Sequence, residues 1–490
     1  MASFIILSLL LFPPFLILVA IKSCKKTKLP PSPPKLPLIG NLHQLGPQAH
    51  LALHALSKKY GKFISLQLGS VPTLVVTSPE IAMEIMKTQD SIFANRPSFD
   101  IAKKILYGPK DIGFSPYGEH WRQAKKICVL HLLSSKKVES LCEIREEEVA
   151  HVVDMITKMS SKGPVNMSEI LITYTYDIVC RVALGKKYSG HGEENKVWKL
   201  SRESSALFGA FNVIDFFPEL GWLNWLTGKD ARVERHFQEW DGFLNQVIQE
   251  HQEGNNDLLN TLFTIQKDQT NGFEIGMDEI KGILMDAFGG GTETSFVVME
   301  WAMAELVRSP EKMEQAQKEI RRIVAEQNTV KVREEDMNQM SYLKAVIKEV
   351  MRLHPPAPLL MPRESMEETT IQGYTIPAKT RVIINGWALG RDPELWKMAD
   401  EFQPERFLSG EVDFKGHDFH YIPFGSGRRI CPGIAFAMSS IELLLANLLY
   451  WFDWKLPGGK KPQELDMAEA YGLTVCMKNQ LFLHAKLHQA

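Results

Sequence analysis

A single cysteine lies in a glycine- and arginine-rich segment near the end of the chain, FGSGRRICPG at Phe424–Gly433. A cysteine that binds a metal must be ionised, and Arg428 and Arg429 supply nearby positive charge that favours the thiolate. The apolar run from Ile434 predicts a helix, whose positive N-terminal end also favours a thiolate at Cys431. None of the other five cysteines lies in or beside this segment. The segment therefore predicts either a buried inert thiol or a metal with its remaining ligands elsewhere, as haem iron has in a porphyrin.

A second unusual stretch is the glycine triplet Gly289–Gly291, which is followed by the hydroxyl and acid residues Thr292–Ser295. It lies in the middle of Met277–Arg308, a run that predicts a helix of about 32 residues, or ~48 Å. Interior glycines cost about 1 kcal/mol each relative to alanine, so three of them require a reason. Close packing against another helix, a break between two helices, and a local opening beside a ligand are all compatible with the pattern.

The remaining chain predicts a mainly α fold with small β-sheets in one large domain, since no linker-like change of composition follows residue 37. Two β-rich runs with turn residues predict short strands, at 62–77 and 369–385. The other predicted helices are 144–159, 311–327, 341–354 and 433–452. The charge is nearly balanced, with 56 basic and 58 acidic residues. This balance gives no electrostatic basis for binding nucleic acid.

Several motifs together resemble those of the cytochrome P450 family. The pattern F-x-x-G-x-R-x-C-x-G at Phe424–Gly433 is similar to its haem-thiolate signature, and Glu349 with Arg352 matches its E-x-x-R motif. PERF at Pro404–Phe407 and GGTETS at Gly290–Ser295 match two further motifs. YGEHWR and HPPAPLLMPRE are similar to segments of the plant microsomal (A-type) members. The resemblance implies a single cytochrome P450 catalytic domain with that fold.

The resemblance also implies a cofactor and the residues that bind it. Cys431 would be the axial ligand of the iron of haem b (heme b). The implied haem contacts are Arg96, Trp121, Lys125, Arg363, Phe424, Arg429 and Gly433. The family commonly has arginine where Lys125 stands, and lysine keeps the charge but loses the bidentate geometry. Thr294 and Glu293 would deliver protons during catalysis. Glu349, Arg352 and Arg406 would form a buried structural group, whereas an exposed pair at that spacing would add only about 0.2–0.5 kcal/mol.

The implied substrate pocket is largely apolar. Its predicted lining residues are Phe208, Phe211, Met285, Gly290, Ala357, Leu359, Leu360 and Leu473. Such a pocket suits a lipophilic small molecule such as a terpenoid, an alkaloid, or a phenylpropanoid or coumarin. The implied activity is a monooxygenase that hydroxylates or otherwise oxidises this molecule with O2. A net C–C cleavage, ring closure or dehydration within the family is an alternative, and a non-catalytic haem-binding sensor is an alternative of another class.

Electrons must reach this site from another protein. The chain contains no G-x-G-x-x-G motif, and the 59 residues after Cys431 are too few for a fused flavin domain. The resemblance therefore implies an NADPH–cytochrome P450 reductase as partner. Arg122, Lys126 and Arg428 are candidate docking charges, with an ordinary solvated charge cluster as the competing interpretation.

The N-terminus predicts a membrane attachment. Residues 2–21 carry no charge and are long enough for one membrane-spanning helix, although Pro13 and Pro14 would kink it. The lysines that follow predict that the rest of the chain faces the cytosol. We therefore expect an anchor at 2–21, a basic and proline-rich strap at 22–37, and a catalytic domain at 38–490. The resemblance places the protein in the endoplasmic reticulum membrane by this single-pass anchor.

Overall fold

The computed structural model describes residues 28–188, 194–210, 212–222, 224, 228–251, 257–267, 275–470 and 472–488. The predicted anchor at 2–21 and the first part of the strap, up to residue 27, lie outside the described residues. The rest of the strap is hydrogen-bonded to strands of two different sheets. There the Ser65 N–H donates to the carbonyl oxygen of Pro31 at 2.8 Å, and the Thr375 N–H donates to that of Lys28 at 2.9 Å.

Helices form most of the described structure. In chain order they are α1 Ala49–Tyr60, α2 Pro79–Met83, α3 Asp90–Phe93, α4 Asp100–Ile105, α5 Glu119–His131, α6 Ser135–Ser140, α7 Cys142–Ser160, α8 Met167–Leu184, α9 Glu194–Gly209, α10 Lys229–Glu250, α11 Leu258–Lys267, α12 Met277–Arg308, α13 Pro310–Glu326, α14 Ser341–Leu353, α15 Gly386–Gly390 and α16 Ile434–Trp451. The strands are β1 Phe63–Leu68, β2 Val71–Val76, β3 Val165–Asn166, β4 Arg363–Glu364, β5 Thr369–Ile371, β6 Tyr374–Ile376, β7 Arg381–Ile384, β8 Phe452–Lys455, β9 Glu469–Ala470, β10 Cys476–Met477 and β11 Phe482–Leu487.

The predicted mainly α architecture with small sheets is confirmed. The long helix has the predicted bounds, Met277–Arg308, because Ser309-Pro310 ends it as the sequence indicates. The β-rich run 62–77 forms the hairpin of β1 and β2, in which Phe63 pairs with Val76. The run 369–385 forms β5, β6 and β7.

The core is built around α12, whose second half is buried on all sides. It packs along α8 and also contacts α14 and α16. By length and hydropathy, α16 is the one helix of the described residues that could cross a membrane. Most of its side chains are instead buried in the protein core, among them Leu443, Leu444 and Leu445. The apolar character of α16 is therefore that of a core helix.

The largest sheet has the strand order β1-β2-β7-β4 and places two arginines near each other. The edge strand β4 begins with Arg363, and its second residue, Glu364, forms a bridge with Asn95. Because Arg96 follows Asn95 directly, this pairing brings two arginines that are 267 positions apart in the chain to the same edge of the sheet.

Candidate active site

Cys431 lies between a 3₁₀ turn at Gly427–Arg429 and the first turn of α16. Its backbone N–H donates to the carbonyl oxygen of Phe424 at 3.0 Å, which closes the loop. Cys431 lines a cavity of about 430 Å³. Burial raises the pKa of the Cys431 thiol, while the backbone amide of Gly433 and the charge of Lys125 partly oppose this rise. The sulfur thus has beside it the hydrogen-bond donor and the positive charge that a thiolate ligand needs.

The shape of this loop requires glycine at position 427. Gly427 has a φ of 68°, and a Cβ there would lie 2.0 Å from the carbonyl oxygen of Met86. The loop is held by Asp90, whose carboxylate accepts from the Arg428 N–H at 2.8 Å and pairs with Arg363 at 2.9 Å. Asp90 was not predicted, because it belongs to no motif and its partners lie more than 270 residues further along the chain.

The four predicted cationic haem contacts meet at the cavity that Cys431 lines: Arg96, Lys125, Arg363 and Arg429. The three arginines are buried, with at most 9% of each residue exposed. Apart from the Arg363–Asp90 pair, these side chains donate to backbone carbonyl oxygens. The acceptors are Gly113, Met361 and Pro362 for Arg96, Ala94, Ile112 and Ser115 for Arg429, and Arg428 and Ile430 for Lys125.

These cations repel one another. Burial lowers the pKa of Arg96 well below its usual range, and the charges of Arg429 and Arg363 lower it further. Burial likewise lowers the pKa of Arg429 to about 9 and that of Lys125 to about 8, with a neighbouring arginine adding to each shift. A group of buried cations that is short of anions fits a ligand that carries carboxylates, as the two propionates of haem do.

Trp121 contacts two of these cationic side chains. Its Nε1–H donates to the carbonyl oxygen of Ile112 at 3.0 Å. The Arg429 guanidinium lies 4.2 Å from the centroid of the indole, and Lys125, one turn further along α5, lies 5.3 Å from it. Phe424 also lines the cavity and contacts Phe414 edge-on, with 5.4 Å between the ring centroids. Trp121 therefore holds two of the cations, Arg429 and Lys125, beside the cavity.

The glycine triplet lies in an unbroken stretch of α12, which excludes the alternative of a break between two helices. A Cβ on Gly291 would lie 3.0 Å from Val179 of α8, which shows close helix packing at that position. A Cβ on Gly289 or Gly290 would meet nothing within 4 Å, and both residues line the cavity. The Thr294 hydroxyl donates to the carbonyl oxygen of Gly290 at 2.7 Å. Close helix packing therefore applies to Gly291, and a local opening beside the cavity applies to Gly289 and Gly290.

Glu293 precedes this threonine and also lines the cavity. Burial raises the pKa of its carboxyl group, and the hydroxyl groups of Thr474 and Ser205 beside it partly oppose the rise. A carboxyl group with a raised pKa retains its proton closer to neutral pH. The two predicted proton-transfer residues are therefore adjacent on α12 and both border the space that Cys431 lines.

Glu349, Arg352 and Arg406 form the expected group away from the cavity. Glu349 and Arg352 are fully buried and joined by two hydrogen bonds of 2.7 Å. The same carboxylate accepts from Arg406 Nε at 3.0 Å and from the Gln403 N–H at 2.7 Å. The group holds the segment Pro404–Phe407 against α14, so its contacts are structural.

Most of the predicted pocket residues line the cavity: Phe208, Met285, Gly290, Ala357, Leu360 and Leu473. Phe211 lies outside the described residues. Leu359 does not line the cavity, and packs instead with the cluster that contains Leu53 and Ile64. Leu360 has a left-handed φ of 51°, and this sharp backbone turn directs the two neighbouring leucines to different surroundings.

Two sets of polar residues also line the cavity. Ser201, Ser205 and Thr474 line one wall. Asp286 lines another and accepts from the Ile112 N–H at 2.5 Å. Burial and the nearby carboxylate of Asp111 raise the pKa of Asp286 well above its usual range. Helical spacing could have identified Asp286, which precedes Thr294 by eight residues, and also the serines four residues apart.

The candidate docking charges lie on and beside α5. Arg122 is exposed and pairs with Glu119 at 2.5 Å, and Arg428 lies 3.5 Å from Asp90. Lys126 is exposed and forms no ion pair within the part of the chain that the structure describes. Lys126 is therefore the docking candidate whose charge is least neutralised.

Comparison with known proteins identifies the family. Residues 30–482 match the cytochrome P450 family. The chain is 52% identical over 461 residues to cytochrome P450 71A1 of Persea americana, covering 92% of this chain and 91% of that protein. It is 48% identical to cytochrome P450 71A9 of Glycine max, covering 94% and 93%. It is 46% identical to the phenylacetaldehyde oxime monooxygenase CYP71AN24 of Prunus mume, covering 94% and 89%.

Solved structures show the same fold. A zebrafish cytochrome P450 structure with abiraterone has a TM-score of 0.75 at 23% identity and covers 90% of this chain and all of that one. A second zebrafish structure, with progesterone, has a TM-score of 0.77 at 24% identity and covers 89% and 99%.

The fold and the cysteine-lined cavity define a haem-thiolate oxygenase. The chain belongs to the cytochrome P450 family, and within it to the plant monooxygenases of the 71 type. Members of this family use haem-thiolate iron, O2 and electrons that originate from NADPH.

Proposed function

We propose that this monooxygenase oxidises a lipophilic plant specialised metabolite such as a terpenoid, an alkaloid or a phenylpropanoid. One observation carries the proposal: a single cavity is lined by Cys431, by the buried cations, by Thr294 and by a mainly apolar wall. Haem, when bound, supplies the activation of O2 and the transfer of one oxygen atom to the substrate. Hydroxylation is the simplest outcome, and net C–C cleavage, ring closure and dehydration are alternatives at the same site.

Different residues of the chain would bind different parts of the haem. Cys431 would ligate the iron, with its charge stabilised by the Gly433 amide and by Lys125. Arg96, Arg363 and Arg429 would bind the propionates, which would relieve the mutual repulsion of these buried cations. Trp121 would hold the Arg429 guanidinium in place, and Phe424 would contribute an apolar contact.

Thr294 and Glu293 would transfer protons on the substrate side of the cavity. The Thr294 hydroxyl donates to Gly290 O, which leaves its oxygen free to accept a hydrogen bond from a water molecule in the cavity. Glu293 has a raised pKa and can hold a proton and release it into the cavity, as a general acid must. A protein that only binds or senses a ligand would not need this pair, which favours an enzyme over a sensor.

An exposed apolar face supports attachment to a membrane. Leu38 is 90% exposed and Trp222 is 61% exposed, and Leu36, Ile39 and Leu220 are also exposed. The two segments that carry these residues meet at one turn, because the Gly69 N–H donates to Ile39 O and the Ser70 N–H donates to Phe216 O. An apolar face beside the strap is compatible with an endoplasmic reticulum membrane held by the proposed anchor at 2–21, with the catalytic domain on the cytosolic side.

An NADPH–cytochrome P450 reductase is the proposed electron donor. Lys126 and Arg428 present positive charge close to the cysteine loop, since Lys126 follows the cavity residue Lys125 and Arg428 precedes Arg429. An acidic surface on the reductase would be attracted to these groups. Replacing Lys126 with glutamate should slow reduction of the haem by the reductase without affecting reduction by dithionite.

The role of Thr294 is tested by substituting it with alanine in the enzyme reconstituted with reductase. Thr294→Ala should retain haem and substrate binding but divert reducing equivalents from product to peroxide, and coupling should fall by about 100-fold or more. Thr292→Ala is the matched control, because Thr292 lies two residues earlier, donates to Phe288 O and does not line the cavity. Undiminished coupling in Thr294→Ala would place the proton relay elsewhere.

The substrate itself is sought by screening. Membranes that contain the enzyme and the reductase are supplied with NADPH and a plant-extract library, and products are detected by their mass shift. Aromatic aldoximes belong in the library because the name of one relative, at 46% identity, states that activity. A haem-loaded protein that consumes NADPH only in forming peroxide, whatever the compound, would favour the sensor.

A further inference from the structure

One wall of the cavity carries hydroxyl groups. Ser201 and Ser205 lie four residues apart on α9 and so project from the same side of the helix. Both line the cavity, as does Thr474 from the loop before β10. Each of the three residues is only 7% exposed. Buried hydroxyl groups require hydrogen-bond partners, so the partners of each one decide what it can bind.

Ser204 lies beside them, but its hydroxyl group is already hydrogen-bonded within the protein. Its oxygen accepts from the Trp240 Nε1–H at 3.1 Å and lies 2.8 Å from His236 Nε2. Burial lowers the pKa of His236 to about 4, so the imidazole is neutral at physiological pH and can accept the serine proton. The Ser204 hydroxyl therefore joins α9 to α10 and has no remaining donor for a ligand.

Ser205 and Thr474 form a pair that can still accept a hydrogen bond. Their hydroxyl oxygens lie 3.1 Å apart, so one proton is shared between them, and the Glu293 carboxyl group beside both is the acceptor for the other. The oxygen lone pairs of the pair remain available to a ligand that donates a proton. The Leu473 N–H donates to Ser205 O at 3.2 Å, which fixes the loop against the helix. A Cβ on Gly472 would lie 2.9 Å from the Ser205 oxygen, so the approach of the two segments is close.

Ser201 is the third hydroxyl residue on this wall. Its hydroxyl makes no side-chain hydrogen bond within the described residues, although it is buried and borders the cavity. The surroundings of the wall are apolar and include Val182, Phe208 and Leu473. The carboxyl group of Glu293 lies beside the Ser205–Thr474 pair, which disfavours an anionic ligand there.

We propose that Ser201, Ser205 and Thr474 bind a neutral hydrogen-bonding group, a hydroxyl or a carbonyl, on an otherwise lipophilic substrate. The natural substrate would then be an already oxygenated molecule and not a hydrocarbon, and its polar group would select which end faces Cys431. This inference rests on the proposed function only in assuming that the substrate occupies this cavity. It also requires that an earlier reaction, an oxidation or a hydrolysis, installs the polar group.

The test compares pairs of probes with one carbon skeleton: p-cymene with thymol, and limonene with perillyl alcohol. Dissociation constants are measured from the haem absorbance change of the holoenzyme. In the double variant Ser201→Ala/Ser205→Ala, the two alcohols should bind about 5- to 100-fold more weakly, since two hydrogen bonds are lost. The two hydrocarbons should stay within about twofold. The exposed helical serine Ser140 provides the control variant Ser140→Ala, which should change neither class.

Three results would overturn the inference. They are an equal loss of affinity for alcohols and hydrocarbons, unchanged binding of the alcohols, and no binding of either alcohol by the wild type. Ser201→Thr with Ser205 intact retains both hydroxyl groups and should bind the alcohols as the wild type does. The carbon monoxide spectrum of each variant shows whether haem-thiolate ligation persists. Failure of the proposed function would appear in that spectrum or as peroxide without product, whereas failure of this inference would leave both unchanged.

Discussion

The buried ion pair of α14 offers a sharp test of what holds the fold around the cysteine loop. Glu349→Gln retains the size of the side chain but removes its charge. In the wild type the Glu349 carboxylate accepts four hydrogen bonds. Two come from Arg352, at 2.7 Å each, and one each from the Gln403 N–H and Arg406 Nε. Both Glu349 and Arg352 are at most 1% exposed, so no water can replace these contacts.

The expected loss of stability in Glu349→Gln depends on which hydrogen bonds Arg352 retains. Its guanidinium still donates to the carbonyl oxygens of Gly390, Ala399 and Glu401, so its N–H groups stay largely bonded. Its positive charge, however, loses its buried counter-charge. Breaking one partner of such a pair destabilises a protein by about 3–5 kcal/mol. An exposed helical pair contributes only about 0.3–0.5 kcal/mol.

Urea unfolding of the holoenzyme, followed by far-UV circular dichroism and by haem absorbance, measures the difference. The matched control is Glu326→Gln, which breaks the exposed pair with Arg322 on α13. We expect a clear fall of the urea midpoint for Glu349→Gln, with haem lost at the same or lower urea, and almost no change for Glu326→Gln. Equal midpoints for the two variants would refute the reasoning that burial makes the Glu349–Arg352 pair essential.

Two further predictions concern the loop and the core. Gly427→Ala should lower the ratio of bound haem to protein, because the new Cβ would lie 2.0 Å from Met86 O. Gly410→Ala also has positive φ but open space around it, and should bind haem normally; equal loss in both would contradict the steric account. Burial raises the pKa of Glu300 to about 7, above its unfolded value, so its contribution to stability falls as pH rises from about 4.5 to 7. Glu300→Gln should therefore gain stability relative to the wild type between pH 5 and pH 8, and parallel stability–pH curves would contradict this.

The sequence predicted the elements whose signals are local. The end of α12 follows from Ser309-Pro310 after a helical pattern, and the hairpin of β1 and β2 follows from two β-rich runs around a turn. The residues of the cysteine loop could be named because their types and spacing match a specific motif. The chemistry of this part of the site therefore could be derived before the structure was known.

The parts of the site that the sequence did not predict depend on contacts between distant segments of the chain. Asp90 reaches the cysteine loop across more than 330 residues, and the pairing of Ser205 with Thr474 spans 269 residues. No local pattern marks such pairs. Leu359 was expected in the pocket because of the family resemblance, yet the left-handed φ of Leu360 separates the directions of the two leucines. These differences arise from tertiary packing and from backbone geometry, which composition and spacing do not reveal.

The central claim is that Cys431 ligates haem iron as a thiolate. The most direct measurement is the absorbance spectrum of the reduced protein with carbon monoxide, for the wild type and for Cys431→Ser. Cys476→Ser is the matched control, since Cys476 is a half-buried free cysteine that does not line the cavity. We expect the strongly red-shifted Soret band of thiolate-ligated haem in the wild type and in Cys476→Ser, and its loss in Cys431→Ser. A spectrum typical of histidine-ligated haem in the wild type, or an unchanged band in Cys431→Ser, would contradict the account.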